Sequence, residues 1–327
     1  MVEVKSNEII HWSPERKLTI TAHAMARAGD VVVTALRDLG WEVEIRLPRG
    51  QQFTAGELAS ACKGSEIAII GDDQASDAFF RAVGTELKFL IKWGVGTDAI
   101  DFGSANRHGV VVKNTPGAFS DEVADLALAY ILALARAIMQ VDHAVRQGKW
   151  KKLTGVSLRG KTLGIVGFGG IGRAIARRAL SFGMTIVFAD PFVTRSPFRG
   201  SAPRPLNQVF GLSDFLVLAC PSTPDTVGIV NSASIQLMKN TSYIVNVARG
   251  DLVVEADLVA AIQSGHLAGA ALDVYESEPL PMDSKLRSLN TVILGAHNGS
   301  NTTEGLLRAS ILAVNLVDEY TSEKNEK

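Results

Sequence analysis

The sequence predicts an α/β protein built as two doubly wound parallel-sheet domains. Three observations carry that expectation. The chain has 327 residues, about two domains' worth. Short β-branched runs alternate with helical stretches in two separate series, which is the pattern of parallel sheets. A single long apolar segment lies between the two series. With 46% hydrophobic and 20% charged residues, against roughly 25% charged in an average globular chain, the sequence is rich in core, which excludes disorder for most of it.

The first series runs through KLTIT (17–21), a helical stretch from Val31 to Leu39, WEVEIRL (41–47), a helical stretch from Ala55 to Cys62, and EIAII (66–70). The second begins at LGIVG (163–167) and continues through TIVFAD, FLVLAC, SYIVNVA, GAALDV and TVILGA, with helical segments after most of them. Between the two, residues 120–145 (SDEVADLALAYILALARAIMQVDHAV) read as one long helix. Ser120 is its expected N-cap, and Asp121 and Glu122 complement the helix dipole in the first turn. The centre of this helix is apolar on nearly every face, so it is expected to be buried between domains or in a subunit interface, which implies a dimer. GKWKK (148–152) reads as a polar linker and SEKNEK (322–327) as a frayed tail.

Composition excludes several function classes. With 33 Lys and Arg against 34 Asp and Glu, the net charge of −1 leaves no basic excess for a nucleic acid or an anionic membrane surface. The longest apolar run, Leu126 to Ala135, is half the ~20 residues of a spanning helix. The first 17 residues lack a basic-then-apolar leader pattern. Cys62 and Cys220 are too few for a disulfide framework or a thiolate zinc site, so no metal is expected and a reducing compartment fits. The expectation is a cytoplasmic protein.

The strongest motif is KTLGIVGFGGIGRAIARRAL, where a strand runs into Gly167, Gly169 and Gly172 in G-x-G-x-x-G spacing and then into a helix. Gly167 permits the tight turn, Gly169 lets the backbone approach a pyrophosphate, and Gly172 lets the helix pack on the strand. The acidic residue expected about 20 positions on is Asp190, which can accept from ribose hydroxyls and would repel a 2′-phosphate. NAD is therefore the expected cofactor, with Arg195 and Ser196 leaving NADP as a minor alternative.

Three later segments place polar residues at the ends of strands: NVARGDLVVEADL with Arg249, LDVYESEPL with Asp273 and Glu278, and ILGAHNGSNTTE with His297. Together with KWGVGTDAID (92–101), NTPGAFSDEVAD (114–125), the glycine fingerprint and CPSTPDTVGIVN (220–231), they make the chain resemble the D-isomer-specific 2-hydroxyacid dehydrogenases over almost its whole length. The overall pattern is most similar to the phosphoglycerate dehydrogenase branch. The resemblance implies a flavodoxin-like substrate domain from residues 1–114 plus 298–327. It also implies a Rossmann NAD-binding domain from residues 115–297 that includes a dimerisation helix at 120–145. A cleft that closes over the substrate would exclude water from hydride transfer.

The same resemblance assigns roles. Arg249 would grip a carboxylate and polarise the adjacent carbonyl, His297 would exchange a proton with the substrate oxygen, and Glu278 would fix the tautomer of His297 and favour its imidazolium. Asp273 would meet the nicotinamide carboxamide, Gly170 and Ile171 the pyrophosphate, and Val247 and Cys220 would lie against the cofactor. Cys220 is expected to be inert. In the first domain the backbone of Gly94, Val95 and Gly96 would hold the substrate carboxylate, and Lys92 matches a basic position of the phosphoglycerate branch. His11, His23, His108, His143 and His266 match no motif.

The expected function is NAD-dependent hydride transfer between NAD(H) and a small 2-hydroxy or 2-oxo acid, with 3-phosphoglycerate and 3-phosphohydroxypyruvate among the candidates. Two departures bear on the substrate. GDDQASD follows EIAII where that branch commonly carries arginine, and Asp72 and Asp73 would repel a phosphate. Gly295-Ala296 replaces the usual Thr-Pro before His297, which predicts a less constrained loop. Glyoxylate or hydroxypyruvate reduction is the alternative within the class, and a non-catalytic NAD(H)-sensing protein the alternative outside it. A formate dehydrogenase relative is disfavoured by Glu278, where that branch has Gln. The chain ends just after its final helix, so an amino-acid-binding regulatory domain is not expected.

Overall fold

The computed structural model of the chain describes residues 16–50 and 52–325, so the segment read for a leader, up to residue 15 and including His11, lies outside them. The described residues form two compact units. One runs to Ala118 and resumes at Leu306, and the other is Phe119–Gly305. The divisions fall after Ala118 and Gly305 rather than after 114 and 297. Thr115 donates its N–H to the Gly94 carbonyl at 3.1 Å, and Arg308 donates to the Ala118 carbonyl at 2.7 Å, which keeps 115–118 with the first unit. Gly299 donates to the Asp273 carboxylate at 2.9 Å, which keeps the loop after His297 with the second.

The first unit contains a five-stranded parallel sheet made of β1 (Lys17–Ile20), β2 (Glu42–Ile45), β3 (Ile67–Ile70), β4 (Phe89–Lys92) and β5 (Val111–Asn114). Its order, β2-β1-β3-β4-β5, is the flavodoxin-like doubly wound order. β3 and β4 are buried along their whole length, as expected of strands covered by helices on both faces. Leu58, Phe79, Phe80 and Leu90 fill the space beneath them. Trp41 is fully buried, and its indole N–H donates to Thr321 Oγ1 at 3.0 Å; Trp93 donates likewise to Ser310 at 3.1 Å. These two bonds bind the final helix, Thr303–Asn325, to its sheet.

The second unit holds a seven-stranded parallel sheet: β6 (Thr162–Val166), β7 (Thr185–Ala189), β8 (Ser201–Pro203), β9 (Phe215–Leu218), β10 (Tyr243–Asn246), β11 (Gly269–Leu272) and β12 (Val292–Leu294). The order β12-β11-β10-β9-β6-β7-β8 reverses between β6 and β9, and that switch point is where an open α/β sheet leaves a crevice for a ligand. Two doubly wound parallel sheets are thus present.

Four local expectations are corrected. The apolar segment is two helices, Ser120–Ala135 and Ile138–Arg146, not one. The Ala135 carbonyl, which would have continued the helical ladder, instead accepts the Val156 N–H at 2.8 Å, and Ala137 turns left-handed at φ +49°. Ser120 is the first helical residue rather than the cap, because the first helical bond runs from Val123 N–H to the Phe119 carbonyl at 3.0 Å. The tail from Ser322 to Asn325 is helical, with Lys324 Nζ on Glu66 Oε1 at 2.6 Å. Finally, the polar 148–152 stretch lies inside the second unit rather than joining the two. β4, β5 and β8 were not anticipated: β4 ends in a lysine, β5 alternates half-buried and exposed positions, and β8 is a three-residue edge strand holding Pro203.

Candidate active site

The glycine turn is built at the switch point. Gly167 directly follows β6 at φ +92°, and a Cβ there would stand 2.6 Å from the Cys220 nitrogen on the segment leaving β9. A Cβ on Gly172 would stand 2.1 Å from the Gly167 carbonyl oxygen, so the helix Gly170–Ser181 reaches the strand only through glycine. Gly169, by contrast, faces open space, and this helix has no side-chain cap. A backbone open on one side, at an uncapped helix start, fits a pyrophosphate. Ile171 sits in that first turn.

Asp190 follows β7 directly. Its carboxylate accepts the Phe168 N–H at 2.7 Å and the Phe192 N–H at 2.8 Å, which fixes it beside the glycine turn, where a ribose would lie. Ser196 is turned inward onto Phe198 and Ser201, so its hydroxyl is engaged within its own loop. Cys220 and Val247 are each 8% exposed. Burial pushes the Cys220 thiol up to about 11, with the Asp190 and Asp251 charges adding to the rise, so it is an un-ionised thiol near neutral pH.

Three of the proposed site residues leave adjacent strands. Arg249 follows β10, Asp273 follows β11, and His297 follows β12. The Asn246 amide donates to the Arg249 carbonyl at 2.7 Å while its oxygen accepts the Ala248 N–H at 3.1 Å, so Asn246 shapes the N-V-A-R turn. That turn is pressed onto the next loop. A Cβ on Gly250 would fall 1.8 Å from the Tyr275 carbonyl oxygen, and Glu255 and Glu276 accept each other's backbone N–H at 2.9 and 2.8 Å.

His297 and Glu278 form a hydrogen-bonded pair, Nδ1 to Oε2, at 2.8 Å. Their side chains are 31% and 24% exposed. The other Glu278 oxygen accepts the Tyr275 N–H at 3.1 Å. His297 lies at φ +51°, a left-handed conformation held by its N–H on the Asp273 carbonyl at 2.7 Å. The loop around it is not loose. Gly295 N–H donates to the Leu272 carbonyl at 2.7 Å, the Gly295 carbonyl accepts from the Tyr275 hydroxyl at 2.7 Å, and Gly299 N–H donates to Asp273 Oδ2. Backbone bonds from β11 and its loop supply the restraint that a proline would have given.

In the first unit, Lys92 is 5% exposed, and its ammonium donates to Asp72 Oδ1 at 2.8 Å and to the Trp93 carbonyl at 3.3 Å. Gly94 adopts φ +134°, and its N–H is taken by Thr115 Oγ1 at 2.8 Å. Val95 is 40% exposed, and Gly96 follows it directly. Asp73 has a different character from Asp72. At 2% exposed it accepts from Thr21 Oγ1, Phe53 N–H and Gly71 N–H, so it braces the loop and does not confront a ligand. Its burial corrects the expectation that it repels phosphate together with Asp72.

Sequence reasoning did not assign roles to Asn246, Tyr275 or Tyr130. Asn246 opens the N-x-A-R-G motif, and Tyr275 lies between Asp273 and Glu278. Tyr130 is the one hydroxyl-bearing side chain in the apolar stretch 126–135.

Comparison with known proteins gives concordant results. Residues 128–299 match the family described as "D-isomer specific 2-hydroxyacid dehydrogenase, NAD binding domain". A glyoxylate reductase of Pyrococcus furiosus is 37% identical over 85% of this chain and 84% of its own length. A D-3-phosphoglycerate dehydrogenase of Archaeoglobus fulgidus is 35% identical over 85% of this chain, which spans only 53% of that relative. A D-lactate dehydrogenase of Aquifex aeolicus, solved with NAD and lactic acid, superposes with a TM-score of 0.83 at 25% identity, covering 95% of this chain and 97% of that one.

Proposed function

The chain belongs to the D-isomer-specific 2-hydroxyacid dehydrogenase family, an NAD-dependent oxidoreductase acting on a CH–OH group, and on that premise we propose that its substrate is a short, unphosphorylated 2-oxo acid such as glyoxylate or hydroxypyruvate. The observation that carries this reading is the Lys92–Asp72 pair. The cation that a substrate phosphate would need is buried against a carboxylate that cancels its charge. Glyoxylate reductase is also the name of the Pyrococcus relative. The second reading, a phosphorylated substrate, is favoured by the Archaeoglobus relative.

In the proposed reaction the cofactor supplies the hydride that reduces the carbonyl carbon. The Arg249 guanidinium holds the substrate carboxylate with two parallel donors and polarises the adjacent carbonyl. In the first unit the Gly94 N–H is committed to Thr115, so of the backbone donors at 94–96 only those of Val95 and Gly96 are proposed to meet a carboxylate. His297 Nε2–H gives its proton to the carbonyl oxygen as that oxygen gains charge. Glu278 accepts from Nδ1–H, which fixes the tautomer and stabilises the imidazolium. In the oxidative direction His297 takes the hydroxyl proton instead.

The test follows NADH consumption with glyoxylate, hydroxypyruvate, pyruvate and 3-phosphohydroxypyruvate in parallel. The expected result is a kcat/KM at least about tenfold higher for one of the unphosphorylated acids. Preference for the phosphorylated acid overturns the substrate reading, and silence on all four overturns the enzyme reading of the site.

We infer a homodimer formed through the 120–146 region. Ile138, Met139 and Val145 on one helix are about half exposed, Trp150 is 83% exposed, and a cavity of about 610 Å³ opens between that helix and residues 150–153. Sedimentation of Trp150→Glu, with monomer as the expected outcome, tests it. The two buried cysteines carry no disulfide, which supports the cytoplasm as location and is open to cell fractionation.

A further inference from the structure

Gly295 is not a glycine for conformational reasons, because its φ is not positive. Its reason is space. A Cβ at 295 would stand 2.3 Å from Tyr130 Oη, 2.4 Å from Asp273 Oδ1 and 3.1 Å from Asp273 Cα. Those two oxygens are hydrogen-bonded to each other at 3.0 Å, so the missing side chain is what lets the pair form. Tyr130 comes from the buried helix Ser120–Ala135 and is 8% exposed. Burial, and then the Asp273 charge, hold its phenol protonated, so it always donates.

Asp273 is 2% exposed, and a carboxylate so placed is tolerated only with its oxygens engaged. Oδ1 has the Tyr130 hydroxyl and Oδ2 has the Gly299 N–H, while the carbonyl of the same residue holds the His297 N–H. Asp273 is thus gripped at one end by the helix and at the other by both sides of the His297 turn.

We propose that Tyr130 is a positioning residue of this enzyme: admitted by the absent side chain at Gly295, its hydroxyl fixes the Asp273 carboxylate and, through Asp273, the 295–299 turn that presents His297. The assignment rests on the reading of His297 as the proton donor and of Asp273 as the neighbour of the nicotinamide.

The test uses Tyr130→Phe, which removes one oxygen, together with Gly295→Ala and the double variant. Two readouts are taken: kcat with the preferred 2-oxo acid, and the imidazole ¹⁵N resonances of His297 in the cofactor-free protein, assigned by their loss in His297→Gln. Tyr130→Phe, with a thermal midpoint close to wild type, is expected to lower kcat about tenfold, leave the KM of the oxo acid within twofold, and shift the His297 resonances. Gly295→Ala is expected to shift them in the same direction. The double variant should be no worse than Gly295→Ala alone, because either change breaks the same pair.

Unchanged resonances and kcat in folded Tyr130→Phe overturn the proposal, as do losses that multiply in the double variant. Should Tyr130→Phe not fold, Gly295→Ala decides on the same two readouts. Absence of turnover in the wild type would sink the enzyme reading instead, and the resonance shift in the cofactor-free protein still decides the role of Tyr130.

Discussion

The carboxyl ends of the two sheets share an architecture and use their polar residues in opposite ways. In the first unit, charges that leave β3 and β4 are spent on one another and on the backbone: Asp73 on Thr21, Phe53 and Gly71, and Lys92 on Asp72. In the second unit, backbone groups and tyrosines hold the charged residues from behind. Asp273 is bonded to Tyr130 and Gly299, and His297 and Glu278 meet each other while keeping 31% and 24% of their side chains exposed. A parallel sheet gathers strand ends at one edge whatever the sequence. What differs is openness: Lys92 and Asp73 are buried, whereas His297 and Glu278, though paired with each other, keep part of their side chains exposed.

His297→Ala removes the proposed proton donor and should lower kcat by about 10²–10⁴, the usual range for a general acid, with the NADH dissociation constant within about twofold of wild type. Stopped-flow reduction with fluorescence titration of NADH measures both. Turnover within tenfold of wild type would mean that the supported edge is not the reactive one.

How much of this contrast could be read from the sequence differs between the two units. In the second unit the proposed roles sit in contiguous motifs. G-x-G-x-x-G demands backbone without side chains, and N-x-A-R-G, Asp273 to Glu278 and His297 each fall just past a short apolar run. The supports were less visible. Tyr130 precedes its partner Asp273 by more than a hundred residues, and nothing local to an apolar helix says which face meets a strand end. In the first unit, Asp72 and Asp73 are neighbours in sequence and were read alike. Folding turned one outward, 59% exposed along its side chain, and buried the other. The break at Ala137 was hidden for the same reason, since the competing donor, Val156, comes from a distant loop.

A second prediction tests the first unit's side through stability. Thr21 is 1% exposed, and its hydroxyl donates to the 2%-exposed Asp73 at 2.5 Å. Thr21→Val keeps the shape and removes the donor, leaving a buried carboxylate with one fewer partner. The expected cost is about 2 kcal/mol, read as a lower urea midpoint at constant slope, with kcat and KM unchanged. A loss of activity without loss of stability would place Asp73 in the chemistry after all.

If Asp72 silences Lys92, then Asp72→Asn leaves the ammonium with a neutral hydrogen-bond partner and restores one positive charge to the first unit's edge. Lys92 is 5% exposed, so a phosphate would feel it through several ångströms of screened space and not by direct contact. At an effective dielectric constant near 20 to 40, a unit charge roughly 6–8 Å away is worth about 1–3 kcal/mol, or roughly tenfold at the screened end of that range. The kcat/KM for 3-phosphohydroxypyruvate should therefore rise about tenfold, while that for an uncharged-tail acid such as hydroxypyruvate changes by less than about threefold. The gain should shrink in 0.5 M salt, as an exposed-phase electrostatic term must. A gain shared equally by both acids would point to a repositioned loop, and no gain at all would mean that size or shape, not the cancelled charge, excludes the phosphate.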